Sequence, residues 1–169
     1  ISPSEGSDTD VDYRFFQLSP RSRIVDSSAS CGNMAAAVGP FAVDEGLVSV
    51  NGDHVCVRIL NVNTGRIIRS TFSLDDGTAG VNGDLCLPGV AGSGAPINLV
   101  FDNPGGGATG KLLPTGRPTD ELQTRGTHFE VSMVDAGNPC VFVRAQDLGL
   151  VGCELPDTLS QFSEALDAL

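Results

Sequence analysis

The sequence has no tryptophan, a single tyrosine and a single lysine, and only ten basic residues against twenty-one acidic ones. The net charge of −11 argues against a nucleic-acid partner, because no cluster of lysine and arginine side chains is present to neutralise phosphates. Long apolar runs are also missing, so we predict neither a transmembrane segment nor a membrane partner. A small anionic ligand fits this charge, since it needs only backbone amides and one or two cations.

Metal-binding and disulfide patterns are missing as well. The five cysteines are odd in number, widely spaced and without a C-x-x-C pair, which indicates a reducing compartment and predicts a cytoplasmic protein. His54 and His128 have no third ligand at metal spacing, so we predict no metal site. The 169 residues suffice for one domain, and their 21 glycines and 10 prolines favour short strands and tight turns over a helix bundle.

The chain is organised around one apolar helix. Serines in the segment 27–30 lead into Cys31, and no charged residue follows until Asp44. This pattern predicts a helix over about 31–47, with serine N-caps and a kink or a division at Gly39-Pro40. Because the helix is apolar on nearly every side, we expect protein to surround it. The sequence therefore predicts an α+β fold in which a β-rich shell encloses a central helix.

The start of this helix is the first candidate site. Unpaired amides and the positive end of the helix dipole attract carboxylate or phosphate there. Such an end favours negative charge, so Cys31 is a candidate acid or base, with a buried structural thiol as the alternative. Asn138, in the predicted turn 137–139, offers an amide side chain to a ligand. The glycine string 105–111 fits G-x-x-x-x-G-K, but Leu112 replaces the magnesium-binding Ser/Thr and no helix follows, which favours a flexible loop.

Alternating apolar residues and turn signals predict the remaining elements. The predicted strands are Val11–Leu18, a short one near Ile24-Val25, a hairpin of His54–Val62 and Arg66–Phe72, Ile97–Phe101, and a pair formed by His128–Val134 and Cys140–Ala145. We expect residues 1–10 to be loose and a last helix to begin near Pro156.

Several short motifs together resemble the PrpF family, over about residues 10–152. They are Asp12-Tyr13, Val25-Asp26, Cys31-Gly32-Asn33, Val38-Gly39-Pro40-Phe41-Ala42, Glu45-Gly46-Leu47, Asn63-Thr64-Gly65, Leu113-Pro114-Thr115-Gly116 and Asp135-Ala136-Gly137-Asn138-Pro139. The family contains 2-methylaconitate isomerases, methylitaconate Δ-isomerases and 4-oxalomesaconate tautomerases, and it shares the fold of diaminopimelate epimerase. The resemblance implies a lobe in which a curved, mostly antiparallel sheet or barrel wraps around the central helix.

The resemblance also implies a function, a cofactor-independent isomerase that transfers protons in small unsaturated di- or tricarboxylic acids. Cys31 is then the acid or base. The other implied site residues bind the substrate and its carboxylates, and they are Ser30, Gly32, Asn33, Thr64, Thr115, Gly116 and Asn138. One alternative is a non-catalytic carboxylate-binding or scaffold module, and a remoter one is an amino-acid epimerase or racemase.

The resemblance further implies that this chain is one of two lobes of a longer protein. The family's catalytic lysine lies in a Ser/Thr-rich segment upstream of the cysteine, whereas the lysine of this sequence is Lys111. We expect residues 11–155 to form one lobe, and 156–169 to begin a helix that leads to a second lobe. We therefore expect the chain alone to be inactive, with exposed surfaces that favour a homo-oligomer.

Overall fold

The computed structural model describes residues 1–28, 30–124 and 126–162. In that part of the chain the fold is α+β, as predicted, with several sheets and few helices. The strands are β1 (Ser2–Pro3), β2 (Val11–Tyr13), β3 (Gln17–Leu18), β4 (Val25–Asp26), β5 (His54–Asn61), β6 (Arg66–Asp75), β7 (Thr78–Ala79), β8 (Asn98–Phe101), β9 (Asp120–Thr124), β10 (Thr127–Ala136) and β11 (Asn138–Val143). The helices are α1 (Gly32–Asp44) and α2 (Pro156–Leu159), and a 3₁₀ turn spans Ala145–Leu148.

The main sheet has the order β1-β2-β5-β6-β7, and β8 also pairs with β6. Strands β2 and β5 are parallel, with Val11 opposite Ile59, while the other pairs of this sheet are antiparallel. The predicted β5–β6 hairpin is confirmed. Its turn places Gly65 at a φ of +67°, where a side chain would be strained. This hairpin is the centre of the sheet and carries Asn61 at the end of β5.

A second sheet has the order β11-β10-β9, and β3 and β4 form a separate antiparallel pair. Strand β10 continues to Ala136 and β11 begins at Asn138, so Gly137 alone separates them. The predicted turn over 137–139 is therefore wrong, because Asn138 and Pro139 lie in strand β11. The single strand predicted over 11–18 is divided into β2 and β3, and β9 was not predicted.

Helix α1 packs on one face of the main sheet, and together they form the core. It ends at Asp44 rather than near residue 47, and it contains Pro40 without being divided. The prediction that protein surrounds α1 does not hold for the described residues, because Met34 and Phe41 are 53% and 46% exposed. The buried members of the core are Val11, Tyr13, Ala35, Val38, Ala42, Val43, Val57, Ile59, Ile68 and Phe72.

The described structure contains a short strand near the N-terminus and a short helix near the C-terminus. The N-terminal segment, expected to be loose, contains β1, and Ser4 and Thr9 share a hydroxyl hydrogen bond of 2.7 Å. Near the C-terminus α2 begins at Pro156, as predicted, but its expected continuation over 163–169 lies outside the described residues. Neither α1 nor α2 is long and apolar enough to cross a membrane.

Candidate active site

Helix α1 begins with open amides. Cys31 is its N-cap in an extended conformation, and its side chain makes no capping hydrogen bond. The amide of Ala35 donates to the Cys31 carbonyl at 2.9 Å, so the amides of Gly32 and Asn33 precede the first intrahelical bond. The predicted serine N-caps are wrong, because Cys31 is the N-cap, while the Ser28 hydroxyl donates to Asp26 and the Ser30 hydroxyl accepts from Asn61. Since sulfur is a weak acceptor, the Cys31 cap leaves this positive helix end available to an anion.

Ser30 is held in place from two directions. The amide side chain of Asn138 accepts a hydrogen bond from the Ser30 N–H and donates one to the Ser30 carbonyl, both at 3.0 Å. The Ser30 hydroxyl accepts from Nδ2 of Asn61 at 2.8 Å. The structure therefore brings Ser30 and Asn138 together beside Cys31, a free and half-buried thiol. In this arrangement Asn138 positions the residue that precedes the cysteine.

Asn61 and Asn63 support the site through hydrogen bonds, although the sequence analysis did not assign them to it. Asn61 is 1% exposed, and besides its bond to Ser30 it accepts the Asn63 N–H at 3.0 Å. The Asn63 amide donates to the carbonyls of Phe15 and Ser27, at 2.8 and 2.6 Å. The motif Asn63-Thr64-Gly65 contributed Thr64 to the predicted site, but neither Asn63 nor Asn61 was assigned to it. The available signal was an asparagine at the end of a buried strand, which must find polar partners inside the protein.

Thr64, which the resemblance implied as a substrate-binding residue, lies near Ser30. Both line a small cavity of about 20 Å³, together with Asn61 and Arg66. Arg66 donates from Nη2 to the Gly105 carbonyl at 2.8 Å. The cavity has room for about one water molecule, so it is a space behind the helix start and too small for a tricarboxylate.

Thr115 and Gly116 belong to a separate turn. The Thr115 hydroxyl donates a hydrogen bond to the Asp120 carboxylate at 2.5 Å, and Arg117 forms an ion pair with the same carboxylate. The bond from Thr115 is the main reason that the pKa of Asp120 is lowered. The Gly116 amide donates to the Leu113 carbonyl at 2.9 Å. In the described part of the chain, no hydrogen bond joins this turn to Cys31 or to Ser30.

The glycine string 105–111 binds a carboxylate of its own chain. Oδ2 of Asp135 accepts hydrogen bonds from the Ala108 and Thr109 amides at 3.0 and 2.7 Å and from the Thr109 hydroxyl at 2.9 Å. These bonds, led by the Thr109 amide and helped by the charge of Arg66, lower the pKa of Asp135 against the opposing effect of burial. The loop predicted to be flexible is therefore tied to β10, immediately before Gly137 and Asn138.

Comparisons with known proteins show the family of the chain. The model of the family described as PrpF protein matches residues 1–168. The chain belongs to the PrpF family. The described residues contain no group of three or more histidine, cysteine, aspartate or glutamate side chains that could hold a metal ion.

Individual PrpF relatives are similar along nearly the whole chain. The 3-methylitaconate isomerase of Eubacterium barkeri is 43% identical over 98% of this chain, and the 2-methyl-aconitate isomerase of Shewanella oneidensis is 38% identical over 98%. A crystal structure of methylitaconate-delta-isomerase superposes with a TM-score of 0.80 at 42% identity, covering 99% of this chain. The chain spans 43–44% of the length of these proteins.

Proposed function

We propose that this chain forms one lobe of a cofactor-independent isomerase of small unsaturated di- or tricarboxylic acids, with the lobe fold of diaminopimelate epimerase. The observation that carries the proposal is the start of α1, where a free thiol and open amides meet at one point. Relatives named as isomerases of methylitaconate, methylaconitate and oxalomesaconate support it, and they do not favour the non-catalytic module.

The chemistry follows from the groups at this point. Removing a proton alpha or vinylogous to a carboxylate leaves an enolate-like anion, which requires hydrogen-bond donors aimed at the carboxylate oxygens. The amides of Gly32 and Asn33 fill that role, because the helix dipole reinforces them and no intrahelical acceptor uses them. Cys31 is the proton-transferring group that we assign within this chain. Asn138 and Asn61 hold Ser30 in place, and Ser30 in turn fixes the backbone position of Cys31, the next residue.

The test compares two cysteine variants of the full-length enzyme that contains this lobe, with methylitaconate, 2-methylaconitate and oxalomesaconate as substrates. Cys31→Ser should lower the rate of isomerisation by roughly 10²–10⁴-fold, because a hydroxyl is a poor substitute for a thiol in proton transfer. The matched control is Cys56→Ser, which changes an exposed thiol in β5 and should leave the rate unchanged. Normal turnover of the Cys31 variant on the accepted substrate would refute the assignment.

A further inference from the structure

Tyr13 is a buried core residue whose polar atom, the phenol oxygen, is unpaired. It is 5% exposed, and its hydroxyl has no hydrogen-bond partner within the described residues. A buried hydroxyl without a partner costs free energy, so such groups call for an explanation. A space-filling role does not require the oxygen, because a phenylalanine would fill the same volume.

The register of the sheet places Tyr13 beside the start of α1. Tyr13 is directly opposite Asn61 in the parallel pair β2–β5, and residues that are opposite one another project from the same face. That face is the one covered by α1, and the Asn61 side chain reaches the Ser30 hydroxyl on it. The ring of Tyr13 therefore stands in the row next to Asn61, at the end of the helix that carries Cys31.

The electrostatics agree with this placement. Burial, and after it the charge of a Cys31 thiolate, raise the pKa of Tyr13 above its ordinary value of 10.0. The phenol is thus neutral at physiological pH and keeps its proton, which makes it a hydrogen-bond donor. An anion at the helix start would meet the amides of Gly32 and Asn33 and, from the sheet side, the Tyr13 hydroxyl.

We propose that Tyr13 is a substrate-binding residue whose hydroxyl donates a hydrogen bond to a carboxylate bound at the start of α1. The inference rests on the proposed carboxylate site and adds to it a donor from the sheet. It also explains the unpaired oxygen, because the bond is completed when the ligand is present. Loss of a hydrogen bond to a charged acceptor should weaken binding by roughly tenfold or more.

The experiment measures binding of tricarballylate, a saturated tricarboxylate, by calorimetry and by thermal stabilisation in three proteins. Tyr13→Phe should bind roughly tenfold more weakly than wild type while keeping the core packed. The matched control is Ser70→Ala, which removes another buried and unpaired hydroxyl under α1, in the neighbouring strand β6 at a position opposite Val57 rather than Asn61. Ser70→Ala should bind tricarballylate as wild type does.

Near-ultraviolet absorption supplies a second readout, because Tyr13 is the single tyrosine of these 169 residues and the difference between wild type and Tyr13→Phe isolates its band. A new hydrogen bond from the phenol should shift this band to longer wavelength when tricarballylate is added to the wild type. Equal binding by wild type and Tyr13→Phe, or a bound state without this shift, would overturn the role of Tyr13 and leave the carboxylate site intact. Absence of binding by wild type would instead refute the carboxylate site and Tyr13's role with it.

Discussion

Gly39→Ala tests how closely α1 must approach the sheet. Helix propensity alone favours alanine by about 1 kcal/mol. However, a Cβ at Gly39 would lie 2.6 Å from Oγ of Ser70 and 2.9 Å from both Cβ of Ser70 and Cε1 of Phe72. Ser70 and Phe72 are 0% and 2% exposed, so neither side chain can move out into solvent. Overpacking of this kind costs about 1–3 kcal/mol, and contacts with three atoms place it in the upper part of that range.

We therefore expect Gly39→Ala to lower the free energy of unfolding by about 1–2 kcal/mol, because the clash outweighs the gain in propensity. Urea denaturation followed by circular dichroism measures the change through the midpoint at constant slope. The same substitution at Gly32, where a new Cβ meets nothing within 4 Å, serves as the control and should leave stability unchanged or raise it by up to about 1 kcal/mol. A Gly39→Ala variant at least as stable as wild type would refute the close approach.

A second substitution identifies the atom responsible. Ser70→Ala removes the Oγ atom nearest to the new Cβ, and that oxygen has no hydrogen-bond partner in the described structure. Alone, Ser70→Ala should be neutral or slightly stabilising, because a buried unpaired hydroxyl is removed. Combined with Gly39→Ala, it should restore part of the lost stability, a coupling of about 0.5–2 kcal/mol. Strictly additive effects would show that Ser70 is not the obstacle.

Two further predictions concern the support of the site. Asn138→Ala should lower the free energy of unfolding by about 1–2 kcal/mol, because both hydrogen bonds to the Ser30 backbone disappear; the same change at exposed Asn82 should have no measurable effect in the same denaturation assay. Asp135→Asn should lower the denaturation midpoint at neutral pH, and the gap to wild type should narrow below about pH 4. Folding lowers the pKa of Asp135 below its ordinary value of 3.8, so the ionised carboxylate stabilises the folded state above that pH. This stabilisation is lost as the carboxylate of the folded protein becomes protonated. A difference in midpoint between the two proteins that does not change with pH would contradict the prediction.

The sequence predicted those elements whose pattern is local. The β5–β6 hairpin follows from alternation and from the turn at Gly65, and α1 follows from an uncharged run after Cys31. Strand β9 was missed, because only its pairing with β10 makes Asp120–Thr124 extended. The sequence predicted that protein would cover every side of α1, but one side is exposed in the described structure. Composition shows how apolar a helix is, but it does not show which of its faces this part of the chain covers.

Three residues that were predicted for the candidate site lie together in the structure, whereas the asparagines that support them were not assigned. Ser30, Cys31 and Asn138 come together, although 108 residues separate the Ser30 and Asn138 that bond each other. Asn61 was not assigned, because its role depends on a strand register that brings it under the helix start. Thr115 was assigned through the resemblance, yet its hydroxyl binds Asp120 within its own turn. Hydrogen bonds between distant segments are a tertiary property that residue types alone do not specify.

The two anion-binding patterns of the sequence differ in whether their donors are already used. The glycine string 105–111 has the backbone form of a phosphate loop, but the Ala108 and Thr109 amides and the Thr109 hydroxyl all donate to Asp135. An external phosphate would have to displace a buried carboxylate of the same charge sign, which makes binding there unfavourable. At α1, Cys31 caps the helix without supplying an acceptor, so the first amides remain open. We therefore place the proposed carboxylate site at α1, whereas the glycine string holds β10 and, through it, Asn138.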